Sequence, residues 1–580
     1  MINTLNDHLS SANTLNEVLH LRSEISDSAN WLTLFVKDRI EVTISYRQLL
    51  AGARRWASAV VGNGVRPNDR VLIVLPTERA FYEAFWGILE VGAVPVPVYP
   101  PVRLGQMNEY LKQVQDIITD CDATLLITNS MIAPLLQLNN RLKICILTTT
   151  RGFSGRAYPK IVSRPVDLAL LQYTSGSTGK QKGVMLSHAN LLANLRAIGK
   201  GLDLNVRDVA LSWLPLYHDM GLIGLMLGTI YFGMPLVAMS PIDFLRKPLR
   251  WIRLISEHRA TISAAPNFAY NLVARKAKNR DFEKIDLSCW RIALCGAEPI
   301  HSSTIENFSR RFEPFNFRPD AFFPAYGLAE NSLAVSFSSI GRKPTIKHFD
   351  PIALEKENLA TGKSPQKGGR AMVSVGRALD SVDVQIMNDD GQLLEPNMQG
   401  EVVLKGPSVM TGYYNNPEQT GKVLANGWLR TGDIGFIENG QLYISGRKKD
   451  IVIRAGRNYF AEDLELAVGS FPGVRPGGVC VFSLGDPERG TEKVILLAEA
   501  TLGADHEKMA DALRKKLAHA TGCRPDEVLI IPPRTLPKTS SGKIQRFKAR
   551  QQYLSGTLNT PQRNGTLKNL WVYARALLKN

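Results

Sequence analysis

Cysteine is scarce in this sequence of 580 residues. The six cysteines lie far apart and include no Cys-x-x-Cys pair: Cys121, Cys145, Cys289, Cys295, Cys480 and Cys523. Six scattered cysteines in a chain of this length, with no Cys-x-x-Cys pair, argue against a disulfide framework and against a zinc site. We therefore expect a protein of the reducing cytoplasm.

The sequence also lacks an evident secretion signal or membrane span. Residues 1–8, Met-Ile-Asn-Thr-Leu-Asn-Asp-His, contain no basic patch ahead of an apolar core. The segment from Met220 to Ile242 is uncharged and long enough to cross a bilayer, but four glycines and two prolines interrupt it. Because these residues break helices, we predict a buried helix up to Tyr231, a turn, and a strand over Leu236 to Met239 instead of a transmembrane segment.

Acidic residues are outnumbered, with 53 Asp and Glu against 70 Lys and Arg, which gives a net charge of +17. Such a charge favours anionic partners: a nucleotide, a nucleic acid, an acidic protein or an anionic membrane. No nucleic-acid recognition motif is evident, so we predict no nucleic-acid partner. The hydrophobic content of 44% and the length imply two or more globular domains.

The first part of the chain alternates short apolar runs with amphipathic stretches, which predicts layered α/β structure with buried sheets. The predicted strands are Arg70 to Leu75, Ala123 to Thr128, Leu168 to Tyr173, Leu236 to Met239 and Arg291 to Cys295. The predicted helices are Tyr46 to Val61, Ala80 to Val91, and Ala189 to Gly201 with Ser187 as its N-cap.

After about Gly376 the pattern becomes rich in strands separated by Asn/Asp-Gly turns, which predicts a β-rich subdomain. Its predicted strands are Val382 to Met387, Gly400 to Lys405 and Gln441 to Ser445. Beyond Arg447 we predict a small α+β domain, followed by a polar tail from about Gly556. That domain contains strands over Gly478 to Phe482, Lys493 to Ala498 and Glu527 to Ile531, and a helix over His506 to Ala518.

The strongest chemical signal is a loop from Thr174 to Gly183 between a predicted strand and a helix. Its glycines free backbone N–H groups, and its hydroxyls and lysines add donors and positive charge, so it is suited to bind a triphosphate. The candidate phosphate-binding residues are Thr174, Ser175, Gly176, Ser177, Thr178, Gly179, Lys180 and Lys182. The glycine spacing is too short for a Walker A loop, and the alternative is a flexible surface turn.

Four further motifs carry candidate functional side chains, although each alone has an ordinary structural explanation. His218 in Trp213 to Gly221 also fits a packed core histidine. Tyr326 and Glu330 fit a loop aromatic and a solvated acid. The fourth motif runs from Trp428 to Asp433 and is followed by Gly446 to Asp450; its Asp433 could simply form an Asx turn. The fifth runs from Leu536 to Ile544, and its Lys543 could simply belong to a basic surface turn.

The order of all five motifs resembles the acyl-adenylate-forming superfamily, which includes acyl-CoA synthetases, luciferases and the adenylation domains of peptide synthetases. The resemblance extends from about Thr43 to Arg546. It implies an α/β fold with a large N-terminal domain over residues 1–447, formed by layered α/β subdomains and a distorted β-barrel-like subdomain. A small mobile α+β C-terminal domain over residues 448–555 and a tail over 556–580 would follow.

The resemblance also implies roles for individual residues, with ATP as substrate and Mg²⁺ as its metal. Lys543 and His218 would be catalytic, Glu330 would bind the metal, Asp433 and Arg447 would contact the ribose, and Lys449 would be the hinge. The implied adenine-binding residues are Gly296, Ala297, Glu298, Tyr326, Gly327, Leu328 and Ala329. We expect an acyl pocket lined by Met220, Ile223, Phe268 and Tyr270.

A polar stretch over residues 338–370 resembles the insertion of the fatty acyl-AMP ligases. This resemblance implies activation of a medium- or long-chain fatty acid to acyl-AMP and pyrophosphate. The acyl group would then pass to an acyl carrier protein, or to a carrier domain of a polyketide or peptide synthase. The alternatives are a fatty acyl-CoA synthetase, with the insertion as a surface loop of no consequence, or a non-catalytic nucleotide- or acyl-binding protein.

Overall fold

A computed structural model describes residues 11–25, 30–36, 39–101, 107–137, 142–149, 158, 161–174, 181–277, 284–454, 457–486, 491–501, 506–539 and 543–558. The α-helices are α1 (Leu15–Ile25), α2 (Tyr46–Gly62), α3 (Arg79–Glu90), α4 (Met107–Cys121), α5 (Ala133–Leu136), α6 (His188–Leu202), α7 (Gly228–Phe232), α8 (Pro241–Arg246), α9 (Leu249–Glu257), α10 (Asn267–Lys276), α11 (Ser302–Phe312), α12 (Pro351–Lys356), α13 (Pro417–Val423), α14 (Ala461–Gly469), α15 (His506–Thr521) and α16 (Arg546–Leu554).

The strands are β1 (Asn30–Val36), β2 (Arg39–Ser45), β3 (Arg70–Val74), β4 (Val94–Pro97), β5 (Ala123–Thr128), β6 (Cys145–Thr148), β7 (Leu168–Thr174), β8 (Lys182–Ser187), β9 (Ala210–Ser212), β10 (Leu236–Met239), β11 (Ile262–Ala265), β12 (Ile292–Cys295), β13 (Phe322–Gly327), β14 (Ala334–Phe337), β15 (Ile346–Phe349), β16 (Arg370–Val373), β17 (Arg377–Ala378), β18 (Asp383–Met387), β19 (Gly400–Lys405), β20 (Gly412–Tyr413), β21 (Leu424–Ala425), β22 (Trp428–Glu438), β23 (Gln441–Arg447), β24 (Ile451–Arg454), β25 (Arg457–Phe460), β26 (Val474–Asp486), β27 (Thr491–Ala500) and β28 (Glu527–Ile531).

The central layer is a nine-stranded sheet in the order β17-β14-β13-β12-β11-β9-β10-β1-β2. Strands β9 to β13 pair in parallel, and their residues are almost wholly apolar because helices cover both faces of such a sheet. The carboxyl ends of parallel strands meet at one edge. The segments after β9, β11, β12 and β13 carry His218, Phe268, Glu298 and Glu330, so the topology brings these residues to the same edge.

Smaller sheets complete the N-terminal part. A four-stranded parallel sheet has the order β4-β3-β5-β6, and a three-stranded antiparallel sheet has the order β20-β8-β7. The β-rich subdomain is an antiparallel sheet with the order β18-β19-β22-β21 and with β23 paired to β22. The register of β22 and β23 places Asp433 opposite Arg447, so two motifs that are separated in sequence become neighbours.

The C-terminal part has its own hydrophobic core. Clusters between Val452 and Leu558 are separate from those of the larger part. Helix α15 covers the β26-β27-β28 sheet, and Met509, Leu513 and Leu517 are buried on one face of this helix, as the sequence predicts. The α/β fold with a large and a small domain is confirmed. Among the helices of the described residues, none combines the length and apolar character that a membrane crossing requires.

The predicted helix after His218 forms with a different geometry. Residues Met220–Leu227 are π-helical and continue into α7, after which the predicted strand β10 follows. A Cβ atom on Gly221 would lie 2.4 Å from the Pro215 carbonyl oxygen, so only glycine permits this close approach. Wide π-helical turns are frequent at functional sites, and this one begins beside His218.

Candidate active site

A cavity of about 3030 Å³ lies at the carboxyl edge of the nine-stranded sheet, between the two domains. Every predicted adenine-side residue lines it, as do His218, Glu330, Asp433, Arg447, Lys449 and Lys543. Thr174 and Lys182 also line it. The other predicted phosphate-binding residues, Ser175 to Lys180, lie outside the described residues.

The carboxylate of Asp433, on β22, is fixed by hydrogen-bond donors from two other segments of the chain. Tyr326 Oη donates to Asp433 Oδ2 at 2.7 Å, and Arg447 Nε lies 3.2 Å from Asp433 Oδ1. Asp433 is buried, and its charge raises the pKa of Arg447 above the usual value even though burial alone would lower it. Each carboxylate oxygen keeps lone pairs for further donors, so this group can accept hydrogen bonds from a vicinal diol such as ribose.

The metal-site candidate Glu330 is linked to the phosphate loop through a tyrosine. Tyr413 Oη donates to Glu330 Oε1 at 2.9 Å, and Lys182 Nζ lies 4.7 Å from the centroid of the Tyr413 ring. Lys182 also donates to Gln419 Oε1 at 3.3 Å. Tyr413 is not recognisable as a site residue from the sequence, because its position depends on the antiparallel pairing of β20 with β8.

The residues present fit a magnesium ion that arrives with a triphosphate. Among the described residues, no group of three or more His, Cys, Asp or Glu side chains is placed so that it could hold a metal ion. Mg²⁺ usually takes one or two carboxylates, with water and substrate phosphates as its other ligands. Glu330 lines the cavity and offers one hard oxygen donor of this kind.

Lys543 brings a cation from the C-terminal domain into the cavity. Its loop is closed by the Thr539 N–H, which donates to the Lys543 carbonyl oxygen at 2.7 Å, and by the Lys543 N–H, which donates to Thr539 Oγ1 at 3.0 Å. Burial lowers the pKa of Lys543 and the nearby Arg447 lowers it further, whereas Glu298, Asp219 and Asp433 oppose this change. Lys543 therefore lies among charged groups from three N-terminal motifs.

An aspartate orients His218 at the start of the π-helix. His218 Nδ1 lies 2.6 Å from Asp219 Oδ1, which also accepts the Met220 N–H at 2.7 Å. Burial would raise the pKa of Asp219, but His218, these hydrogen bonds and Lys543 together hold it below the usual value. The backbone just before His218 is held by Gln172 Nε2, which donates to the Tyr217 carbonyl oxygen at 2.9 Å.

The adenine-side segment is joined to the apolar part of the cavity. The Phe268 N–H donates to Glu298 Oε1 at 2.5 Å, and burial raises the pKa of Glu298. Ala297 has a φ of +66°, a left-handed conformation that an alanine rarely adopts. A Cβ on Gly327 would lie 2.1 Å from the Leu333 carbonyl oxygen, so this position requires glycine.

The prediction for the acyl pocket needs a correction. Met220 and Phe268 line the cavity, but Ile223 and Tyr270 are fully buried in the core and do not. Tyr270 packs edge-on against Trp251 at 5.2 Å, and its hydroxyl donates to the Leu294 carbonyl oxygen at 2.8 Å. Lining residues that the prediction missed are Trp213, Leu214, Ile262, Leu272 and Leu294.

The hinge candidate Lys449 lies in a short 3₁₀ segment, Lys448–Asp450, between β23 and β24. Burial lowers the pKa of Lys449 to about 8, and the charge of Arg447 adds to this effect. Arg546 pairs with Asp450, the last residue of the segment, at 2.9 Å and with Glu462 and Glu465 of α14 at 2.8 Å. The chain after the hinge candidate is thus anchored to the start of α16.

The stretch 338–370 contacts both domains. Phe349 and Leu354 are each 1% exposed and pack in a cluster with Phe436 and Tyr443 of the β-rich subdomain. Ile352, by contrast, is 46% exposed because it lies on the outer face of α12.

Two ion pairs join this stretch to the C-terminal domain. Glu355 Oε2 accepts from Arg457 Nε at 3.0 Å, and Arg370 pairs with Asp463 at 2.8 Å. The Arg370 guanidinium also lies 5.5 Å from the Phe460 ring centroid.

Comparison with known proteins decides the family. The family described as AMP-binding enzyme matches residues 32–414, which is more than half of the chain. The chain belongs to the AMP-binding enzyme family. The identification of an acyl-adenylate-forming enzyme from the five sequence motifs is therefore confirmed.

Individual relatives of this AMP-binding enzyme carry two kinds of name. A putative acyl-CoA synthetase of Caulobacter vibrioides is 36% identical, over 89% of this chain and 91% of the relative. The medium-chain-fatty-acid–[acyl-carrier-protein] ligase JamA of Moorena producens is 34% identical, over 94% of this chain and 96% of the relative. A solved structure from a study of fatty acyl-adenylate ligases of E. coli and L. pneumophila has a TM-score of 0.87 at 32% identity, and the match covers 94% of this chain and 99% of that one.

Proposed function

We propose that this AMP-binding enzyme joins a medium- or long-chain fatty acid to AMP and passes the acyl group to an acyl carrier protein. The observation that carries the proposal is one cavity that combines two environments. The fixed carboxylate of Asp433 and apolar residues such as Met220 and Phe268 line this same cavity. His218 and Lys543 line the same cavity, and Lys543 is the cation that we propose for the chemical step.

The proposed reaction brings two anions together. A carboxylate oxygen of the fatty acid attacks the α-phosphorus of ATP, the acyl–phosphate bond forms, and the bond to pyrophosphate breaks. Negative charge accumulates at the α-phosphoryl oxygens, so fixed cations and donors there lower the barrier. Lys543 is the proposed cation at this point, and the lysines and hydroxyls from Thr174 to Lys182 hold the β- and γ-phosphates. Mg²⁺, held by Glu330 and the phosphates, would neutralise further charge.

The apolar wall favours a fatty acid over a polar carboxylic acid. Trp213, Leu214, Ile262, Leu272 and Leu294 add apolar surface beside Met220 and Phe268. Each buried methylene of the substrate contributes about 0.8 kcal/mol of transfer free energy, so a longer acyl chain binds more tightly. Asp219 orients His218 beside this wall, where we place the substrate carboxylate.

A carrier is the proposed acceptor because JamA, a relative over nearly the whole chain, is named for that activity. We propose that residues 448–555 rotate about Lys449 between the two half-reactions and that residues 338–370 restrain this rotation. The second candidate is a fatty acyl-CoA synthetase, which the name of the Caulobacter relative favours.

A two-stage assay tests the proposal. The enzyme is incubated with dodecanoate, ATP and Mg²⁺, and pyrophosphate and dodecanoyl-AMP are measured. CoA or a phosphopantetheinylated carrier protein is then added to separate portions. We expect acyl-AMP in the first stage and acyl transfer to the carrier in the second. Acyl-CoA formed as fast as acyl-AMP would favour the second candidate, and absence of pyrophosphate release would reject both.

A further inference from the structure

The apolar part of the cavity continues along one face of α10. Phe268, Asn271, Leu272 and Arg275 line the cavity and lie at positions i, i+3, i+4 and i+7 of this helix. The inner end is fixed where Phe268 donates to Glu298, whereas Arg275 at the outer end is exposed. Seven helical residues rise about 10 Å, so the groove leads about this far from the nucleotide edge toward solvent.

Helix α8 also contributes to the lining of the cavity. Pro241 and Leu245 line the same cavity, and Leu245 is 57% exposed. Trp213 contacts both helices, with its ring centroid 3.7 Å from that of Phe244 on α8 and 6.2 Å from that of Phe268 on α10. Leu245 and Arg275 of these two neighbouring helices both line the cavity and are both exposed, so the cavity reaches solvent beside them. The residues of this opening belong to the large domain, so it does not depend on the loop that carries Lys543.

The surface around this opening is apolar and basic. Ile242, which is 46% exposed, lies three residues before Leu245 and therefore on the same face of α8. The face is held rigidly from behind, since Phe244 is buried and stacks on Trp213 with ring centroids 3.7 Å apart.

The exposed charged residues of the two helices are all basic, namely Arg246, Arg275 and Lys276. The neighbouring α11 adds an exposed acid, Glu306. Basic residues in a last turn also complement the helix dipole, so charge alone would be an ordinary finding. The helix dipole does not explain why two exposed apolar side chains lie beside the cavity with basic residues around them.

We propose that this opening, formed by Ile242, Leu245, Arg246, Arg275 and Lys276, docks on an anionic lipid surface and admits the fatty acid directly from it. The inference rests on the proposed fatty acid substrate. Exposed aliphatic side chains enter the headgroup region while basic side chains attract anionic lipids, and together they give reversible binding. A fatty acid dissolved in such a surface would reach the cavity without passing through water.

The test uses the full-length protein and vesicles of phosphatidylglycerol and phosphatidylcholine in equal parts, with pure phosphatidylcholine vesicles as reference. Binding is measured by co-sedimentation in the absence of ATP. Acyl-AMP formation is measured separately, from octanoate in solution and from hexadecanoate dissolved in the vesicles. The variant Ile242→Asp/Arg246→Glu changes the rim without altering a lining residue. The matched control is Leu393→Asp/Lys405→Glu, since Leu393 is 54% exposed and the charge change is equal.

We expect the wild type to bind the anionic vesicles and the rim variant to lose about tenfold or more of this affinity, because the variant removes an apolar and a basic contact. The rim variant should convert octanoate normally and vesicle-borne hexadecanoate slowly, and the control should match the wild type. Equal vesicle binding by wild type and rim variant, or none by the wild type, would overturn the inference. Impaired transfer to an acidic carrier with unchanged vesicle binding would also overturn it. If the wild type converts no fatty acid at all, the proposed function is rejected. The vesicle-binding assay does not measure catalysis, so it distinguishes this outcome from failure of the docking inference.

Discussion

Tyr326 Oη donates a hydrogen bond of 2.7 Å to Asp433 Oδ2 and thereby joins two segments that are 107 residues apart in sequence. Arg447 holds the other carboxylate oxygen from the opposite strand. With a donor on each oxygen, the carboxylate is oriented before any nucleotide binds. The nucleotide side of the cavity is therefore assembled by long-range pairing, and each of its three members can be tested separately.

Removing only the Tyr326 hydroxyl should weaken the use of ATP. Tyr326→Phe keeps the ring but deletes a hydrogen bond to a buried charge, which costs about 1–2 kcal/mol and lowers kcat/KM for ATP roughly 5- to 30-fold. Initial rates of pyrophosphate release at varied ATP concentration measure this effect. Tyr553→Phe is the matched control, since its hydroxyl donates to Glu527 at 2.8 Å on the C-terminal domain. An unchanged kcat/KM for Tyr326→Phe would contradict the assignment.

Lys543 should act on the chemical step more than on nucleotide binding. We expect Lys543→Ala to slow acyl-AMP formation on the order of 10²–10³-fold, as for the loss of one preorganised charge donor, while the Kd for ATP changes little. Single-turnover measurement of acyl-AMP and calorimetric titration with ATP separate the two effects. Lys515→Ala, at an exposed position of α15, controls for the loss of a lysine from this domain. A wild-type rate in Lys543→Ala would remove Lys543 from the mechanism.

Local sequence pattern predicted much of the fold because most of the buried strands are continuous apolar runs. Strands β5 and β10 have the predicted bounds, and Ser187 caps α6 in a capping box with Asn190. The His218 and Tyr326–Glu330 motifs converge because the carboxyl ends of parallel strands meet at one edge, which the alternation of strands and helices already implies. Asp433 and Lys543 reach the same cavity from other parts of the fold.

Features that depend on distant contacts were not predictable in this way. The π-helical turn before α7 depends on the approach of the Pro215 carbonyl to Gly221, and Tyr413 reaches Glu330 only through strand pairing. The prediction that Tyr270 lines the acyl pocket is wrong, because an aromatic residue near a motif fits a lining or a core position equally well. Its neighbours on other elements, which place it in the core, are not encoded locally.

Glu78, which follows β3, should make stability depend on pH. Burial raises its pKa from 4.5 to about 7, while the Asn129 amide, which donates to Glu78 Oε2 at 3.2 Å, opposes this shift. Between these two values the folded state binds more protons than the unfolded state, so stability should fall as pH rises through this window. The loss should be about 1–3 kcal/mol, and Glu78→Gln should abolish it. Urea unfolding at pH 5 and pH 8 measures both proteins, and a parallel pH dependence in the variant would contradict the prediction.

The hinge assignment of Lys449 predicts unequal effects on the two half-reactions. Lys449→Pro restricts its own backbone and that of Lys448, so the C-terminal domain should remain in the orientation that places Lys543 in the cavity. We expect acyl-AMP formation to persist and acyl transfer to the carrier to fall. Lys449→Ala, which removes the side chain but keeps the backbone free, should leave transfer closer to wild type. Equal losses in both half-reactions for Lys449→Pro would identify Lys449 as a linker residue only.

The insertion should determine whether CoA can accept the acyl group. Replacing residues 338–370 with a short Gly-Ser linker tests this directly, and we expect acyl-AMP formation to persist while acyl-CoA formation rises from near zero. The replacement would also uncover Phe436 and Tyr443, which pack against Phe349, so a smaller change is a sharper test. Glu355 and Arg457 provide it, because this ion pair connects the insertion to the C-terminal domain without forming part of the cluster.

Reversing one charge of that pair should release the C-terminal domain. Shifting a two-state equilibrium of domain orientations from 1:99 to 99:1 takes about 5.5 kcal/mol. One partly buried ion pair supplies part of this free energy. We therefore expect Glu355→Arg to raise acyl-CoA formation by roughly 5- to 30-fold. The double variant Glu355→Arg/Arg457→Glu restores the attraction with the charges exchanged and should return acyl-CoA formation to the wild-type level. Acyl-AMP formation should be similar in all three proteins. If the wild type already forms acyl-CoA as fast as acyl-AMP, or if the charge exchange fails to reverse the effect of Glu355→Arg, the insertion does not act through this contact.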